Sequence, residues 1–251
     1  MEVSEFPCIR CILILKADRL HAEALRQYTL RVFPRAHVMT ALTVELARTA
    51  LAAHPIDLFV TGAGVSLESD VLDLLDQCAH NSSSHYPRVL VVTVRREYRM
   101  LVALRALAVD GVFDSATEPP DQFMTALQAV ANGKRYWSQT IVDHMHQVGS
   151  GSTALFRLLT AFEHLVLSVI GDGCDNTVAA AELHLSPATV STVRRELHRK
   201  LGVQHRGELV RVAAQHGFVR FTSAGVVRPG FAMMREAYQA RRAKRGGDAP
   251  P

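Results

Sequence analysis

The stretch from Asn176 to Leu201, NTVAAAELHLSPATVSTVRRELHRKL, constrains the fold more than any other part of the chain. Apolar residues recur at three- and four-residue spacing on both sides of a Ser186-Pro187 boundary, as two core-facing helices require. A serine at the N-cap accepts a bond from a free helical amide, and a proline at the first helical position loses no bond. The sequence therefore predicts two helices joined by a short turn, with the second beginning at Pro187.

The outward face of this second helix is polar and basic. Its short hydroxyl side chains come first and its long cations follow, an order that suits base edges near the helix start and phosphates further along. A solvated basic surface helix is the alternative. The preceding helix and the Ser-Pro cap favour a DNA-recognition helix instead. The residues predicted to contact DNA are Ser186, Thr189, Ser191, Thr192, Arg194, Arg195, His198, Arg199 and Lys200.

Residues 159–212 resemble the LuxR-type helix-turn-helix shared by LuxR regulators and the NarL family of response regulators. The matching motifs are Leu159-Thr160 with Glu163, Ser186 to Val190, Lys200-Leu201-Gly202-Val203 and Glu208-Leu209-Val210. The resemblance implies a four-helix domain that binds double-stranded DNA as a homodimer. Ala161 stands where proline is usual, and Ala188, Ser191 and Val193 also depart from the family pattern, so the DNA sequence preference does not follow.

Charge is unevenly distributed along the chain. Residues 1–146 hold 14 Lys/Arg and 16 Asp/Glu, whereas residues 147–251 hold 14 Lys/Arg and 8 Asp/Glu. The net charges are therefore −2 and +6. The basic half is the half with the predicted helix-turn-helix, as a binding surface for phosphate requires.

Before residue 146, five apolar strand-like segments alternate with five helical patterns. Predicted strands cover 8–15, 38–40, 58–61, 89–94 and 111–113, and predicted helices cover 20–33, 44–54, 71–77, 99–108 and 121–132. Such alternation is typical of α/β proteins with a flavodoxin-like, doubly wound parallel sheet, here five-stranded. The predicted organisation is a receiver-like domain at 8–146, a flexible Gly/Ser linker at 147–154, an all-α helix-turn-helix domain at 155–217, and an extension at 218–251 whose end is disordered.

In order and spacing, the first domain resembles the receiver domain of response regulators. Receiver chemistry requires acids after the first strand to hold Mg²⁺ and an aspartate after the third to accept phosphate. It also requires a hydroxyl after the fourth strand and a lysine after the fifth. The corresponding positions here are Lys16, Ala17 and Asp18, then Gly62, Thr93 and Ser115. We therefore predict a degenerate pocket, a pseudo-receiver, in which Lys16 is an internal cation.

Two other aspartates are poorly placed to accept phosphate. Asp57 stands at the start of a predicted strand, at the end opposite the pocket, and Asp70 stands at the start of a helix. The predicted regulator therefore acts independently of aspartyl phosphorylation. Its receiver-like domain is a dimerisation platform, or it binds a partner protein or small ligand that gates DNA binding. The crevice at the carboxyl ends of the strands is the site for such a ligand, unless side chains fill it.

The sequence gives no support for an enzyme, a metal site or a cofactor. A catalytic set of nucleophile, base and oxyanion donors cannot be assembled. Cys8 and Cys11 form a C-x-x-C, but no further ligands follow at matching spacing, which favours reduced thiols over zinc. No run of eighteen apolar residues occurs, and the first ten residues do not resemble a signal peptide. We therefore expect a cytoplasmic protein that does not contact membranes.

The last part of the chain leaves two alternatives open. In the resembled family the fourth helix often forms the dimer contact, so Leu209, Val210 and Ala213 are candidates for that contact or for the domain core. Beyond it, residues 219–231 have strand and turn character, and residues 233–245 predict a basic helix. This extension is either a solvated tail or an additional contact to phosphate.

Overall fold

The computed structural model describes residues 9–63, 70–80, 86–107, 109–147, 157–223 and 225–246, with the side chains of 241–246 excepted. The described residues form two compact units. One comprises those of Met1–Arg96 and Leu101–Met145, and the other those of Glu97–Met100 and His146–Pro251. Cys8, nearly all of the predicted linker and the final GDAPP segment lie outside the described residues.

Residues 9–147 build a parallel sheet with connecting helices. Its elements are β1 (Cys11–Leu15), α1 (Arg19–Val32), β2 (His37–Ala41), α2 (Val44–Ala53), β3 (Leu58–Gly62), α3 (Val71–His80), β4 (Arg88–Thr93), α4 (Tyr98–Ala106), β5 (Gly111–Asp114), α5 (Pro120–Ala131), β6 (Tyr136–Trp137) and α6 (Gln139–Gln147). The strand order is β2-β1-β3-β4-β5-β6, and every paired neighbour is parallel. The predicted flavodoxin-like fold is confirmed, because β1, β3 and β4 are buried on both faces as central parallel strands are.

The prediction of a five-stranded sheet is wrong by one strand. Among the described residues the sheet has six strands, because Tyr136 and Trp137 pair with Gly111 and Val112 of β5. A strand of two residues is too short to show the alternation by which strands are recognised. Helix α6 was also missed. It is a mainly polar segment with Ile141 as its buried anchor, and it extends through Gln147, the first residue of the predicted linker.

Residues 157–246 form the predicted helical domain and its extension. The elements are α7 (Ala161–Ile170), α8 (Asn176–Leu183), α9 (Pro187–Leu201), α10 (Arg206–Gln215), β7 (Arg220–Thr222), β8 (Gly225–Val227) and α11 (Phe231–Gly246). Helix α9 begins at Pro187 as predicted, and the Ser186 hydroxyl accepts the Thr189 amide at 3.0 Å. The turn before it depends on His184, whose left-handed backbone (φ 54°) ends α8.

The extension is not a solvated tail over its described length. Val227 of β8 is buried, and Val226 and Phe231 pack against the same apolar core as α7 to α10. Arg228 donates to the Asp172 carboxylate at 2.6 Å and also pairs with Glu182. The hairpin of β7 and β8 is therefore joined to the helix-turn-helix by burial and by ion pairs.

Close approach of α7 to α10 depends on Gly171. A β-carbon placed there would lie 2.5 Å from the Ala213 β-carbon and 2.6 Å from the Leu167 carbonyl oxygen. Ala213 and Leu209 are themselves fully buried in this domain. Of the three candidates for a dimer contact on α10, these two belong to the core, and Val210 is only half-buried.

We predict that Gly171→Ala lowers the free energy of unfolding by about 1–3 kcal/mol, because the added methyl group forces α7 and α10 apart. Gly207→Ala is the matched control. Among the described residues, no heavy atom beyond its chain neighbours and its own helix backbone would lie within 4 Å of its added methyl group, and alanine favours the helix. Urea denaturation followed by circular dichroism measures both. Equal stabilities of the two variants would contradict the assignment of Gly171 as a packing glycine.

Candidate nucleic-acid interface

Helix α9 is held by its apolar face. Val190 and Leu197 are fully buried and Leu201 nearly so, against α7 residues such as Val166 and Ile170. Burial of each large aliphatic side chain contributes on the order of 1.5–3 kcal/mol. The spacing of the three buried residues turns the opposite face of the helix toward solvent.

That opposite face presents a continuous polar stripe. Ala188, Thr192, Arg195 and Arg199 are exposed at three- and four-residue spacing, with Ser191 half-buried beside them. Arg199 pairs with Glu196 on the same helix at 2.8 Å, a surface contact of small energetic value. The stripe therefore carries two long cations that can reach outward, preceded by short hydroxyl groups at the amino end.

Three of the predicted DNA-contacting residues, Arg194, His198 and Lys200, bond to parts of their domain beyond α9 itself. Arg194 donates to the Cys174 carbonyl oxygen at 3.0 Å, and the His198 ring is 3.0 Å from the Val203 carbonyl oxygen. Burial, and then the neighbouring Arg206, lower the pKa of Arg194. The prediction missed these contacts because helical periodicity does not separate a cation that faces solvent from one that spans to the next loop.

Lys200 is the third of these residues. Its ammonium group donates to the Glu163 carboxylate at 2.8 Å and to the Leu158 carbonyl oxygen at 3.1 Å. Glu163 is only 7% exposed and also forms a capping box with Thr160 at the start of α7. Burial raises the pKa of Glu163, but hydrogen bonds from Lys200 and Thr160 together hold it below its ordinary value. The pair joins the end of α9 to the start of α7.

The six residues of the predicted degenerate pocket follow neighbouring strand ends, as expected. Lys16 follows β1, Gly62 and Thr93 end β3 and β4, and Ser115 follows β5. Burial lowers the pKa of the Lys16 ammonium group, against an opposing effect of Asp18. Asp18, however, is exposed, and its carboxylate caps the start of α1 by accepting the His21 amide at 2.8 Å.

Arginines reach the same edge of the sheet, and the sequence analysis did not identify them. The Arg95 amide donates to the Thr93 hydroxyl at 2.9 Å, and its guanidinium donates to the Ala63 carbonyl oxygen at 3.2 Å. Arg96 pairs at 2.5 Å with the fully buried carboxylate of Asp114. This edge therefore carries the cations Lys16, Arg95 and Arg96.

Asp114 is the buried acid of this edge. Its carboxylate accepts hydrogen bonds from Thr140 at 2.8 Å and from Thr117 and the Ala116 amide at 3.0 Å. Burial raises the pKa of Asp114, yet these bonds and Arg96 together hold it below its ordinary value. Adjacent to it, the Ser138 hydroxyl donates to Glu118 at 2.5 Å. The sequence signal for this buried acid was its position directly after the predicted strand at 111–113.

The other two aspartates lie where the sequence placed them. Asp57 accepts the Arg10 and Cys11 amides at 2.7 and 2.9 Å, at the start of β1 and far from the carboxyl ends of the strands. Asp70 accepts the Leu72 amide at 3.0 Å at the start of α3.

Within the described ranges, His, Cys, Asp and Glu side chains form no group of three or more that could hold a metal ion. The described helices include none long and apolar enough to cross a bilayer.

The described residues combine a receiver-like parallel sheet with a helix-turn-helix that follows it in the chain. Residues 157–213 match the family of bacterial regulatory proteins, luxR family, so this region is a LuxR-family domain. The predicted resemblance to LuxR-type response regulators is confirmed by this match and by the relatives that follow. None of these matches tests the degenerate pocket, which stays a prediction.

Two curated relatives are regulators. The chain is 34% identical over 101 residues to the transcriptional regulatory protein MctR of Rhizobium johnstonii, a match that covers 39% of this chain and 45% of MctR. It is 25% identical over 133 residues to the response regulator UvrY of Escherichia coli K12, which covers 52% of this chain and 61% of UvrY. The chain thus spans about half the length of the curated relatives that it matches.

Solved structures share the fold. RcsB from Salmonella enterica serovar Typhimurium, bound to promoter rprA in the presence of the phosphomimetic BeF3⁻, aligns with a TM-score of 0.57 at 18% identity, covering 80% of this chain and 96% of RcsB. An RcsB–DNA complex aligns with a TM-score of 0.55 at 17% identity and covers 82% of this chain and 98% of RcsB. At this identity the likeness shows the fold alone.

We predict that Lys200→Met lowers the free energy of unfolding by about 1–3 kcal/mol at neutral pH, because it leaves the Glu163 carboxylate buried without its cation. Since the pKa of Glu163 lies below 4.5, its contribution is fully present above that value and is lost as the pH falls through the lower one. The variant therefore has a weaker acid dependence of stability than the wild type. Urea denaturation at neutral pH and at about pH 4 measures both effects.

Arg199→Met is the control, since its pair with Glu196 is exposed and is worth no more than about 0.5 kcal/mol. Equal losses of stability in the two variants would mean that Lys200 contributes only as a surface cation.

Proposed function

We propose that this chain is a sequence-specific DNA-binding transcription regulator of the response-regulator type, which acts as a dimer and independently of aspartyl phosphorylation. The outward stripe of α9 is the observation that carries the proposal. In this assignment Ser191, Thr192 and Arg195 approach base edges, Arg199 meets phosphate, and the amino end of α9 with Ser186 and Thr189 lies nearest the groove. Arg194, His198 and Lys200 hold the helix in place.

The match to the LuxR family and the net charge of +6 on residues 147–251 support DNA as the partner. Among the similar structures, one contains two RcsB dimers bound to two parallel DNAs, with a TM-score of 0.55. A dimer of the present chain binds paired half-sites, because two-fold symmetry in the protein matches two-fold symmetry in the operator.

Independence from phosphorylation rests on electrostatics at the strand ends. A divalent cation is bound by oxygen ligands, and aspartyl phosphate forms on a carboxylate. Here Lys16 follows β1, Gly62 ends β3, and Asp18 is committed to the His21 amide. The buried carboxylate at the end of β5, Asp114, is already paired with Arg96.

A second candidate function is a receiver-like unit that binds a partner protein or small ligand and gates DNA binding. The cations Lys16, Arg95 and Arg96 at one edge of the sheet favour an anionic ligand for that role. Affinity of the purified protein for DNA without any addition separates this function from an autonomous regulator.

We predict that Arg195→Ala weakens binding to the cognate site by about 1–3 kcal/mol if the guanidinium contacts a base, and weakens binding to all sequences equally if it contacts phosphate. Fluorescence anisotropy with the chain's own upstream DNA and a scrambled duplex distinguishes the two results. Arg135→Ala, at an exposed position of the α/β unit, is the control. An unchanged affinity for both duplexes would remove Arg195 from the interface.

We further predict that acetyl phosphate with Mg²⁺ leaves the intact mass and the oligomeric state unchanged, because Lys16 and Ala17 follow β1 where metal-binding acids are required and Gly62 ends β3 where the acceptor aspartate is required. Intact-protein mass spectrometry and analytical ultracentrifugation provide the measurements. Asp18→Asn and Asp57→Asn variants serve as controls. A stable phosphoryl mass gain that either substitution removes would overturn phosphorylation independence.

A further inference from the structure

Arg228 comes directly after β8, outside the LuxR-family match at 157–213. Its guanidinium donates to the Asp172 carboxylate at 2.6 Å and also pairs with Glu182. The Arg228 side chain is only 19% exposed, and the side chains of Asp172 and Glu182 are 15% and 32% exposed. Charge-assisted bonds from a guanidinium fix geometry as well as adding energy. Arg228 therefore ties the extension to two acids of the helix-turn-helix domain.

The first of these acids leads to the middle of α9. Asp172 stands in the turn between α7 and α8, and its other carboxylate oxygen accepts the Cys174 amide at 2.7 Å. The Cys174 carbonyl oxygen in turn accepts a bond from the Arg194 guanidinium of α9 at 3.0 Å. A continuous set of bonds therefore connects Arg228 with the middle of α9.

The second acid leads to the amino end of α9. Glu182 lies in the last turn of α8, and only residues 183–185 separate it from Ser186, the N-cap of α9. Leu185 packs against the domain core, and its amide donates to the Ala180 carbonyl oxygen at 2.9 Å. Because this connection is short and bonded back to α8, the position of the last turn of α8 determines where α9 begins.

The two ends of α9 are held differently. The carboxyl end is bonded directly to α7 through Lys200 and Glu163. At the amino end, the polar bonds that the structure describes are local: the Thr189 amide donates to the Ser186 hydroxyl at 3.0 Å, and the Val190 amide donates to the Ser186 carbonyl oxygen at 3.2 Å. The orientation of this end therefore depends on apolar packing and on α8, which Arg228 holds.

We infer that Arg228 is a positioning residue for DNA recognition, which holds α9 at the orientation where Ser191, Thr192 and Arg195 reach base edges. The inference rests on the proposed DNA-binding function and extends it to the hairpin. Because Arg228 is turned inward onto two carboxylates, it acts through α8 and not by touching DNA. A hydrogen bond to a base edge requires accurate placement, whereas a long cation can follow a phosphate through a small shift. Loss of Arg228 therefore lowers selectivity more than non-specific affinity.

The test is Arg228→Gln, with Arg235→Gln as the matched control. Both guanidinium groups lie over the ring of Phe231, at 5.7 and 5.9 Å from its centroid. Each substitution therefore removes one cation and one cation–π contact from the extension. Among the described contacts, Arg228→Gln additionally breaks the ion pairs with Asp172 and Glu182.

A second variant, Glu182→Gln, keeps the test decisive if Arg228→Gln fails to fold. It leaves Arg228 paired with Asp172, so the buried charges of the turn before α8 remain compensated. Its control is Glu236→Gln, which removes one exposed acid of α11. Circular dichroism with thermal unfolding verifies that each variant is folded at the temperature of the binding assay.

Fluorescence anisotropy of the full-length proteins on the upstream duplex and a scrambled duplex, over a range of salt concentrations, gives the affinity ratio and the slope of log K against log salt. We expect Arg228→Gln and Glu182→Gln each to lower the affinity ratio about tenfold relative to their controls, the equivalent of one lost base contact. The salt slope keeps its wild-type value, because no phosphate contact is removed. The double variant loses no more than Arg228→Gln alone, since both substitutions break the same ion pair.

A purely structural role of Arg228 would lower the unfolding temperature and leave the affinity ratio of the folded variants at the control value, which would overturn the inference. A slope that falls by about 0.9 in Arg228→Gln but not in Arg235→Gln would show a phosphate contact by Arg228 itself and would also overturn it. Additive losses in the double variant would exclude the route through Glu182. In each of these cases the proposed function stands. Failure of the wild-type protein to prefer the upstream duplex would overturn the proposed function itself.

Discussion

The buried ion pair between Lys200 and Glu163 is the contact that gives the candidate interface its geometry. Apolar burial holds α9 against the domain, but burial is non-directional and tolerates small rotations of a helix about its axis. A charge-assisted bond of 2.8 Å to a carboxylate that also caps α7 specifies one rotation. Arg194 and His198 bond to neighbouring loops on the other flank of the buried face. The inward bonds of Lys200, Arg194 and His198 therefore determine where Arg195 and Arg199 point.

The difference between side chains that bond within the domain and side chains that face solvent explains how far the sequence could predict the site. Apolar spacing identified α9, its first residue and its buried face, because periodicity reports directly on burial. The sequence predicted nine polar residues as DNA contacts without separating them. A cation that bonds to a carbonyl oxygen of a distant loop has the same spacing along the helix as one that faces solvent. Arg194 and Lys200 could be separated from Arg195 only by the positions of Cys174 and Leu158, which are tertiary information.

In the α/β unit too, the sequence predicted some strands and missed others. Long apolar runs such as Cys11–Leu15 and Arg88–Thr93 were predictable, whereas Tyr136–Trp137 was not, because two residues carry no period. At the cationic edge of the sheet, the sequence predicted Lys16 but not Arg95 or Arg96. Lys16 follows a strand and was recognised by position, but Arg95 and Arg96 lie in the loop after β4 and reach Ala63 and Asp114 across the strand ends. An edge that holds a metal ion requires clustered acids. Here the buried acid, Asp114, is paired with Arg96.

Arg228 has a consequence for how the helical domain can be divided. Its guanidinium is shared by Asp172, which precedes α8, and Glu182, in the last turn of α8. Burial raises the pKa of the Asp172 carboxyl, but hydrogen bonds from Cys174 and Arg228 together hold it below its ordinary value. A fragment that stopped at Gly217, just after α10, would leave both carboxylates without Arg228 and would lose Val226 and Phe231, which pack against the core of α7 to α10. A truncation at this end of the chain that keeps the core covered therefore has to retain the hairpin and the start of α11.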